Sequence, residues 1–284
     1  MSECVLQTEN LSKTFGKSEI LHGVDLSIQQ GEVYGLIGQN GTGKTTLLRL
    51  INNLMKPTSG TVRLRTDKLY IGYMPQSCRF DDQATVSETL RFFAKLRGTD
   101  MRGVLSIGEK LRLDGKKRVR HLSPGQQKKL QITIAMIGEP DFFILDEPTA
   151  GLDPAATHEM KTVIGDLHRN GKSILISSHI LQDMDEVCTN IAILEGGRLM
   201  YNQELENCFV IRTSAVRQDA MTSLLALYPI VADASGTTLT ARIDREQIPD
   251  LIAELGRLRI SVFEVTAGNV RNIVREQLRL EARV

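Results

Sequence analysis

The stretch Glu32-Val-Tyr-Gly-Leu-Ile37-Gly38-Gln-Asn-Gly-Thr-Gly-Lys44-Thr45 decides the fold. Its first part is a short apolar strand. Its second part, Gly38 to Thr45, fits G-x-x-x-x-G-K-[ST], and Thr45 to Leu54 then has helical character. A phosphate loop requires this context of a strand before and a helix after. Glycines let successive backbone N–H groups turn inward as an anion nest, and the helix adds its positive N-terminal end. Lys44 reaches the β- and γ-phosphates of a bound nucleotide, and the Thr45 hydroxyl ligates Mg²⁺. Gly38, Asn40, Gly41, Thr42, Gly43, Lys44, Thr45 and Thr46 are therefore the expected cradle. A glycine-rich turn that binds nothing would not need Lys followed by Thr.

About 100 residues downstream, Phe142-Phe-Ile-Leu-Asp146-Glu147 is an apolar strand ending in two acids. Alone, such a pair reads slightly better as a strand-end pair on a solvated turn. Combined with a phosphate loop, Asp146 fits the carboxylate on the magnesium side. Glu147 fits a group beside the γ-phosphate that polarises an attacking water.

Around these two strands the pattern alternates. Val5 to Leu11 and Val24 to Ile28 read as strands separated by the turn Phe15-Gly16-Lys17-Ser18. Leu69 to Pro75 and Ser173 to Ser177 read as further strands. Val86 to Leu96, Pro124 to Gly138 and Ala155 to Asn170 read as helices. Such alternation predicts an α/β protein, a parallel or mixed sheet flanked by helices. After the polar stretch Tyr201 to Asn207 the character changes. Strand 208–212, helix 216–228, strands 231–234 and 237–243, helix 247–258 and strand 261–265 give the split β-α-β-β-α-β order of a ferredoxin-like α+β domain. The expected division is 1–206 and 207–284, with a helical subdomain at about 77–138 and a last amphipathic helix at Asn269 to Leu280.

The 284 residues suffice for about two domains of ~150 residues. Thirty-five basic against 34 acidic residues leave a net charge of +1, and aromatics are 5% with no Trp. That balance argues against nucleic acid as the main partner, since such surfaces are basic and aromatic. Cys4, Cys78, Cys188 and Cys208 form no C-x-x-C pair and read as reduced thiols. Met1 to Phe15 lacks the apolar core of a secretory signal. No stretch approaches the ~18 consecutive apolar residues of a spanning helix, so membrane work would require another chain to do the spanning.

His121-Leu122-Ser123-Pro124-Gly125-Gln126-Gln127 resembles the signature of the ATP-binding-cassette (ABC) family, usually Leu-Ser-Gly-Gly-Gln, and lies just before the acidic strand as it does there. Further matches follow in the family's order. Phe15 fits the aromatic that stacks on adenine. Gln76 fits the glutamine that senses the γ-phosphate, and the resemblance adds it to Thr45 and Asp146 on the Mg²⁺ side. Asp153, in Ala150-Gly-Leu-Asp153, fits the loop that crosses between two cassettes. His179, in Ser-Ser-His-Ile, fits the histidine that contacts the γ-phosphate. The resemblance covers roughly Val5 to Leu205. It implies a P-loop NTPase core of the ABC ATPase type with a helical subdomain. Out of context, Phe15 would read equally well as core, Gln76 as surface and His179 as structural; His22, His121, His158 and His168 keep the structural reading.

Two departures stand out. Pro124 replaces the usual Gly, yet Ser123 reads as a helix N-cap, Pro124 as the first helical residue and Gln126 as the capping-box partner. Only about 45 residues separate Gln76 from the signature, so the helical subdomain is short. The basic run Lys116-Lys-Arg118 with Arg120 reads as a solvated loop in preference to a contact with a partner or lipid headgroups.

The resemblance implies an ATPase using ATP and Mg²⁺, with Glu147, His179 and Lys44 as catalytic residues. Ser123, Gly125 and Gln126 of one cassette would face the phosphate loop of another, so the chain would work as a homodimer or paired cassette. It would sit on the cytoplasmic, inner face of the cell membrane, peripheral to a membrane-spanning permease subunit. The Ser-Ser-His-Ile-Leu-Gln-Asp-Met-Asp-Glu run from Ser177 and the appended C-terminal domain resemble the bacitracin-resistance and antibiotic-efflux branch, which implies export of peptide antibiotics, lantibiotics or drugs. The competing class is a soluble cassette protein acting on nucleic acid or ribosomes, which usually carries two cassettes or a long coiled-coil insertion. A phosphate-loop kinase is a third class, disfavoured by the signature and His179.

Overall fold

The computed structural model describes residues 3–65, 70–180, 184, 186–204, 208–233 and 235–267. The helix expected at Asn269 to Leu280 lies outside them. The chain divides into two compact units, residues 1–188 with 192–202, and 189–191 with 203–284. The expected boundary was 206/207; the strand that precedes it continues to Glu204.

The first unit begins with a hairpin, β1 (Cys4–Phe15) and β2 (Ser18–Gln29), turning at Gly16, whose φ is +58°. β4 (Ser59–Leu64) pairs with the other edge of β1, giving a three-stranded antiparallel sheet. A larger sheet has the order β5-β6-β7-β3-β8-β9, where β3 is Val33–Ile37, β5 Ile71–Met74, β6 Phe142–Asp146, β7 Ser173–Ser178, β8 Asn190–Glu195 and β9 Arg198–Glu204. β5, β6, β7 and β3 run parallel. Every residue of β3, β6 and β7 is buried. That explains the apolar runs at their centres, Phe142–Leu145 and Ile174–Ile176 among them, since a parallel strand is covered on both faces. One core joins Leu6, Leu21, Leu36, Leu47, Phe142, Ile144 and Leu175.

Parallel strands put their carboxyl ends on one edge, where ligands of open α/β sheets bind. The phosphate loop follows β3, Gln76 follows β5, Asp146 ends β6, and His179 follows β7. The register sets Asp146 opposite Ser177 and Ile37 opposite Ser178, so three of these ends are held level.

Helix α1 (Lys44–Ile51) leaves the phosphate loop. Helices α2 (Val86–Leu96), α3 (Met101–Lys110) and α4 (Pro124–Met136) share a separate apolar cluster that includes Val86, Leu90, Val104, Val119 and Leu130. Helix α5 (Pro154–Arg169) precedes β7. The sequence pattern did not announce β4, α3, β8 or β9.

The second unit has the order β10 (Cys208–Thr213), α6 (Gln218–Leu227), β11 (Ile230–Ala232), β12 (Thr238–Arg242), α7 (Ile248–Arg257) and β13 (Val262–Ala267). Its strands form an antiparallel sheet in the order β11-β12-β10-β13. Ile211, Leu239 and Ala241 of the sheet pack with Leu224, Leu251 and Leu255 of the helices.

Candidate active site

The loop from Gly38 to Gly43 owes its path to its glycines. Gly41 and Gly43 have φ of +88° and +104°, the left-handed region that glycine enters without a Cβ penalty. At Gly38 a Cβ would lie 2.5 Å from the Leu194 carbonyl oxygen, so only glycine lets the loop pass β8 at this distance. Thr42 donates its hydroxyl to the Gln39 carbonyl at 3.0 Å, bracing the loop from within. Lys44, only 6% exposed, donates to the carbonyls of Gly38 at 2.6 Å and Gln39 at 3.1 Å. The ammonium therefore lies inside the loop.

The two acids at the end of β6 are buried and divide their contacts. Asp146 accepts the Ser177 hydroxyl at 2.6 Å through Oδ1, while its Oδ2 has no hydrogen-bond partner. Glu147 pairs through Oε1 with Lys44 Nζ at 3.4 Å and through Oε2 with His179 Nδ1 at 2.8 Å. Its own backbone is left-handed, with φ +51°, a conformation costing about 1–2 kcal/mol for a residue with a Cβ. The Glu147 N–H donates both to the Ser177 carbonyl at 3.2 Å and to the Ser177 hydroxyl at 3.0 Å. Those bonds on β7 hold the strained residue in place.

A cavity of about 460 Å³ opens here, lined by Phe15, Ile20, Asn40, Gly41, Gly43, Lys44, Thr45, Thr46, Gln76 and Glu147. Nine of these ten were named from the sequence. Phe15 is half exposed at the mouth, with Lys13 Nζ 5.0 Å from its ring centre. A ring so exposed is not core; it offers a free face for stacking. The cavity joins one aromatic face to a cationic, N–H-rich floor and a carboxylate, a combination suited to a nucleoside polyphosphate.

Eight expected residues are not part of this lining: Gly38, Thr42, Asp146 and His179, which belong to the loop and the acid cluster just described, and Ser123, Gly125, Gln126 and Asp153, which lie at the starts of α4 and α5. Ser123 caps α4, accepting the Gln126 N–H at 3.3 Å, and Gln126 Oε1 accepts the Ser123 N–H at 3.1 Å. Pro124 stands at the first turn, so the capping box read from the sequence is formed. Asp153 caps α5 by accepting the Ala156 N–H at 2.9 Å. A Cβ at Gly125 would approach the Ala156 methyl to 3.2 Å, so the starts of α4 and α5 are neighbours. The basic run is exposed at Lys116, Arg118 and Arg120, as a solvated loop would be, and its side chains still find partners. Lys117 donates to Gln126 Oε1 at 2.8 Å, and Arg118 and Arg120 both donate to Gln83 Oε1.

Three residues escaped the sequence reading. Ile20 enters the cavity because β2 returns beside Phe15 after a two-residue turn; an apolar residue in an apolar strand gives no signal. Ser177 was seen as strand, yet its hydroxyl serves both acids. Lys128, on α4, is buried and donates to the carbonyls of Gln76 and Glu147 at 3.0 Å each. Burial lowers its pKa from the usual lysine value, opposed by the charges of Asp146 and Glu147. On β5, burial and the Asp146 carboxylate raise the pKa of Tyr73, while Arg49 opposes the rise.

Comparison with known proteins agrees with this geometry. The family model for ABC transporters matches residues 21–150. The Nod factor export ATP-binding protein I of Ralstonia nicotianae is 30% identical over 257 residues, spanning 83% of this chain and 80% of that protein. The bacitracin transport ATP-binding protein BcrA of Enterococcus faecalis is 36% identical over 211 residues, or 70% and 68% of the two chains. A solved structure of the ATP-binding subunit of an ABC transporter superimposes with a TM-score of 0.65 at 29% identity, covering 71% of this chain and 90% of that one. The ADP conformation of another ABC-transporter cassette gives 0.65 at 25% identity, covering 72% and 92%. With the phosphate loop, paired acids and histidine gathered at one sheet edge, and with relatives matched over most of their length, the chain belongs to the ABC family as an ATP-hydrolysing, ATP-binding subunit of the transporter type.

Proposed function

We propose that this chain powers export through a separate membrane-spanning permease, by pairing with a second cassette around ATP on the inner face of the cell membrane. The observation that carries the reading is Glu147 held between Lys44 and His179 at the mouth of the phosphate loop. The relatives named for Nod factor export and bacitracin transport support export, with a peptide antibiotic, lantibiotic or drug as the cargo class. Among the described residues no helix is long and apolar enough to cross a membrane, which fits a spanning partner chain.

Each residue has a role on this reading. Phe15 stacks on the base. The N–H groups of residues 40–46 and the Lys44 ammonium take the phosphates. Thr45 lines the cavity, and Asp146 keeps a buried, unpartnered Oδ2. These hard oxygen donors, with Gln76, fit Mg²⁺, which favours few protein ligands plus phosphate oxygens. When bound, the ion supplies positive charge to the phosphates. Glu147 accepts a proton from the water that attacks the γ-phosphorus as the bond to the leaving ADP oxygen breaks. His179 fixes the rotamer of that carboxylate. Ser123 and Gly125, outside the cavity of their own chain, reach the γ-phosphate of a paired cassette.

Affinity purification of the chain from membranes in the presence of ATP tests the assignment. Co-elution of a multi-span protein that stimulates its ATPase supports it. Recovery of ribosomes or nucleic acid, with no membrane protein, overturns it in favour of a soluble cassette.

A further inference from the structure

We infer that Lys128 is a positioning residue for hydrolysis: its buried ammonium ties the backbones of Gln76 and Glu147 to helix α4, so that the reactive carboxylate is set by the helix that Ser123 caps. The inference rests on the proposed role of Glu147. Lys128 lies five residues beyond Ser123 and is 9% exposed. Its Nζ donates to the Gln76 carbonyl and to the Glu147 carbonyl, both at 3.0 Å.

The geometry gives this contact a purpose beyond filling space. Glu147 has a left-handed backbone that needs support from both sides of its residue. Ser177 holds the N–H from β7, and Lys128 holds the carbonyl from α4. Between these two anchors the side chain has its direction fixed toward Lys44 and His179. The same ammonium holds the carbonyl of Gln76, which lines the cavity from the β5 side. Three segments distant in sequence therefore meet at one nitrogen. A shift of α4 displaces the Glu147 and Gln76 backbones together. A misplacement of about 1 Å at a reacting group is enough to lower turnover on the order of 100-fold.

The test uses the full chain and steady-state ATPase with nucleotide binding measured separately. Lys128→Met removes both donors while keeping an unbranched apolar stem. Expected is a fall in kcat of about ten-fold or more, with ATP affinity changed less than about three-fold, since the loss acts on the reacting geometry and not on phosphate binding. Lys128→Gln, which keeps two N–H donors on a shorter stem, recovers part of kcat. In a Glu147→Gln background, Lys128→Met lowers the residual rate by no more than about two-fold, because the residue acts through the carboxylate already removed. A general packing defect would lower both backgrounds alike and would raise KM. If Lys128→Met does not fold, the cycle is run with Lys128→Gln, for which the same loss in both backgrounds overturns the inference. Wild-type kcat in Lys128→Met likewise overturns it. Full activity in Glu147→Gln would instead remove the catalytic reading of Glu147, so the two failures are distinguishable.

Discussion

Lys44 and Glu147 pair with each other on the floor of the cavity, and this sets how substitutions at either should read out. The ammonium and carboxylate are both nearly excluded from water and lie 3.4 Å apart. ATP must draw Lys44 toward its phosphates while bringing negative charge toward Glu147. Glu147→Gln removes both obstacles along with the base. Hydrolysis is expected to fall by roughly 10²–10⁴-fold while ATP binds more tightly than in the native chain, as measured by a fluorescent nucleotide titration. Weaker binding would show that the pair assists nucleotide entry instead of opposing it. Asp146 behaves differently, because one oxygen is spent on Ser177 and the other has no partner. Asp146→Asn is expected to abolish the Mg²⁺ dependence of ATP affinity, so that EDTA, which weakens binding to the native chain, leaves the variant unchanged. The phosphate-loop residues were legible in the sequence because glycines followed by Lys-Thr between a strand and a helix have few other reasons to stand at that spacing, and the paired carboxylates became legible only beside that loop. Lys128 was not, since a lysine in a helix is usually solvated and only the packing of α4 over the sheet buries it.

The elements that position the site were legible in proportion to how plainly their local chemistry marks them. Helix α2 begins at Val86, as expected, because Thr85 and Glu88 form a capping box. The strands β3, β6 and β7 were clear from their short apolar runs. By contrast, β4 opens with Ser59-Gly60 after a proline, which reads as a turn; Gly60 takes φ +80° and crosses β1 so closely that a Cβ would lie 2.2 Å from the Asn10 carbonyl oxygen. Helix α3 carries Gly103 and Gly108, poor helix formers held by the tertiary cluster. Sequence pattern does not report such close approaches, and they are where elements are most vulnerable. At Gly72 of β5 a Cβ would lie 2.4 Å from the Ala135 carbonyl of α4 and 2.8 Å from the Phe143 ring. Gly72→Ala must therefore lift α4 from the sheet. It should cost about 1–3 kcal/mol, seen as a lower denaturation midpoint, and it should reduce ATPase activity beyond the loss of folded protein, since α4 carries both Ser123 and Lys128. Full specific activity in the folded fraction would mean that α4 can move without disturbing the site.

Across the whole molecule, one phosphate loop and one Ser123-Pro124-Gly125 turn are present, and the turn does not line the cavity that the loop floors. A site that needs both must take them from two copies, or from this chain and another cassette. Two inactive variants distinguish shared from self-contained sites. Lys44→Ala disables the phosphate loop, and Ser123→Arg blocks the turn. In a mixed dimer, the intact loop of the Ser123→Arg copy faces the intact turn of the Lys44→Ala copy, giving one complete site and one doubly damaged site. With free exchange of copies, half the dimers are mixed, so mixing equal amounts should restore up to about a quarter of the native ATPase rate from two preparations that are each inactive. Dilution should remove the recovered activity, because it depends on association. Glu147→Gln, which holds ATP without consuming it, should migrate as a dimer with Mg-ATP and as a monomer with ADP, since only the γ-phosphate differs and it alone supplies the preference for the joined state. If the mixture stays inactive and the ATP-loaded Glu147→Gln chain stays monomeric, identical copies do not complete each other. The search then turns to a different cassette as the partner, with the same complementation run against that chain.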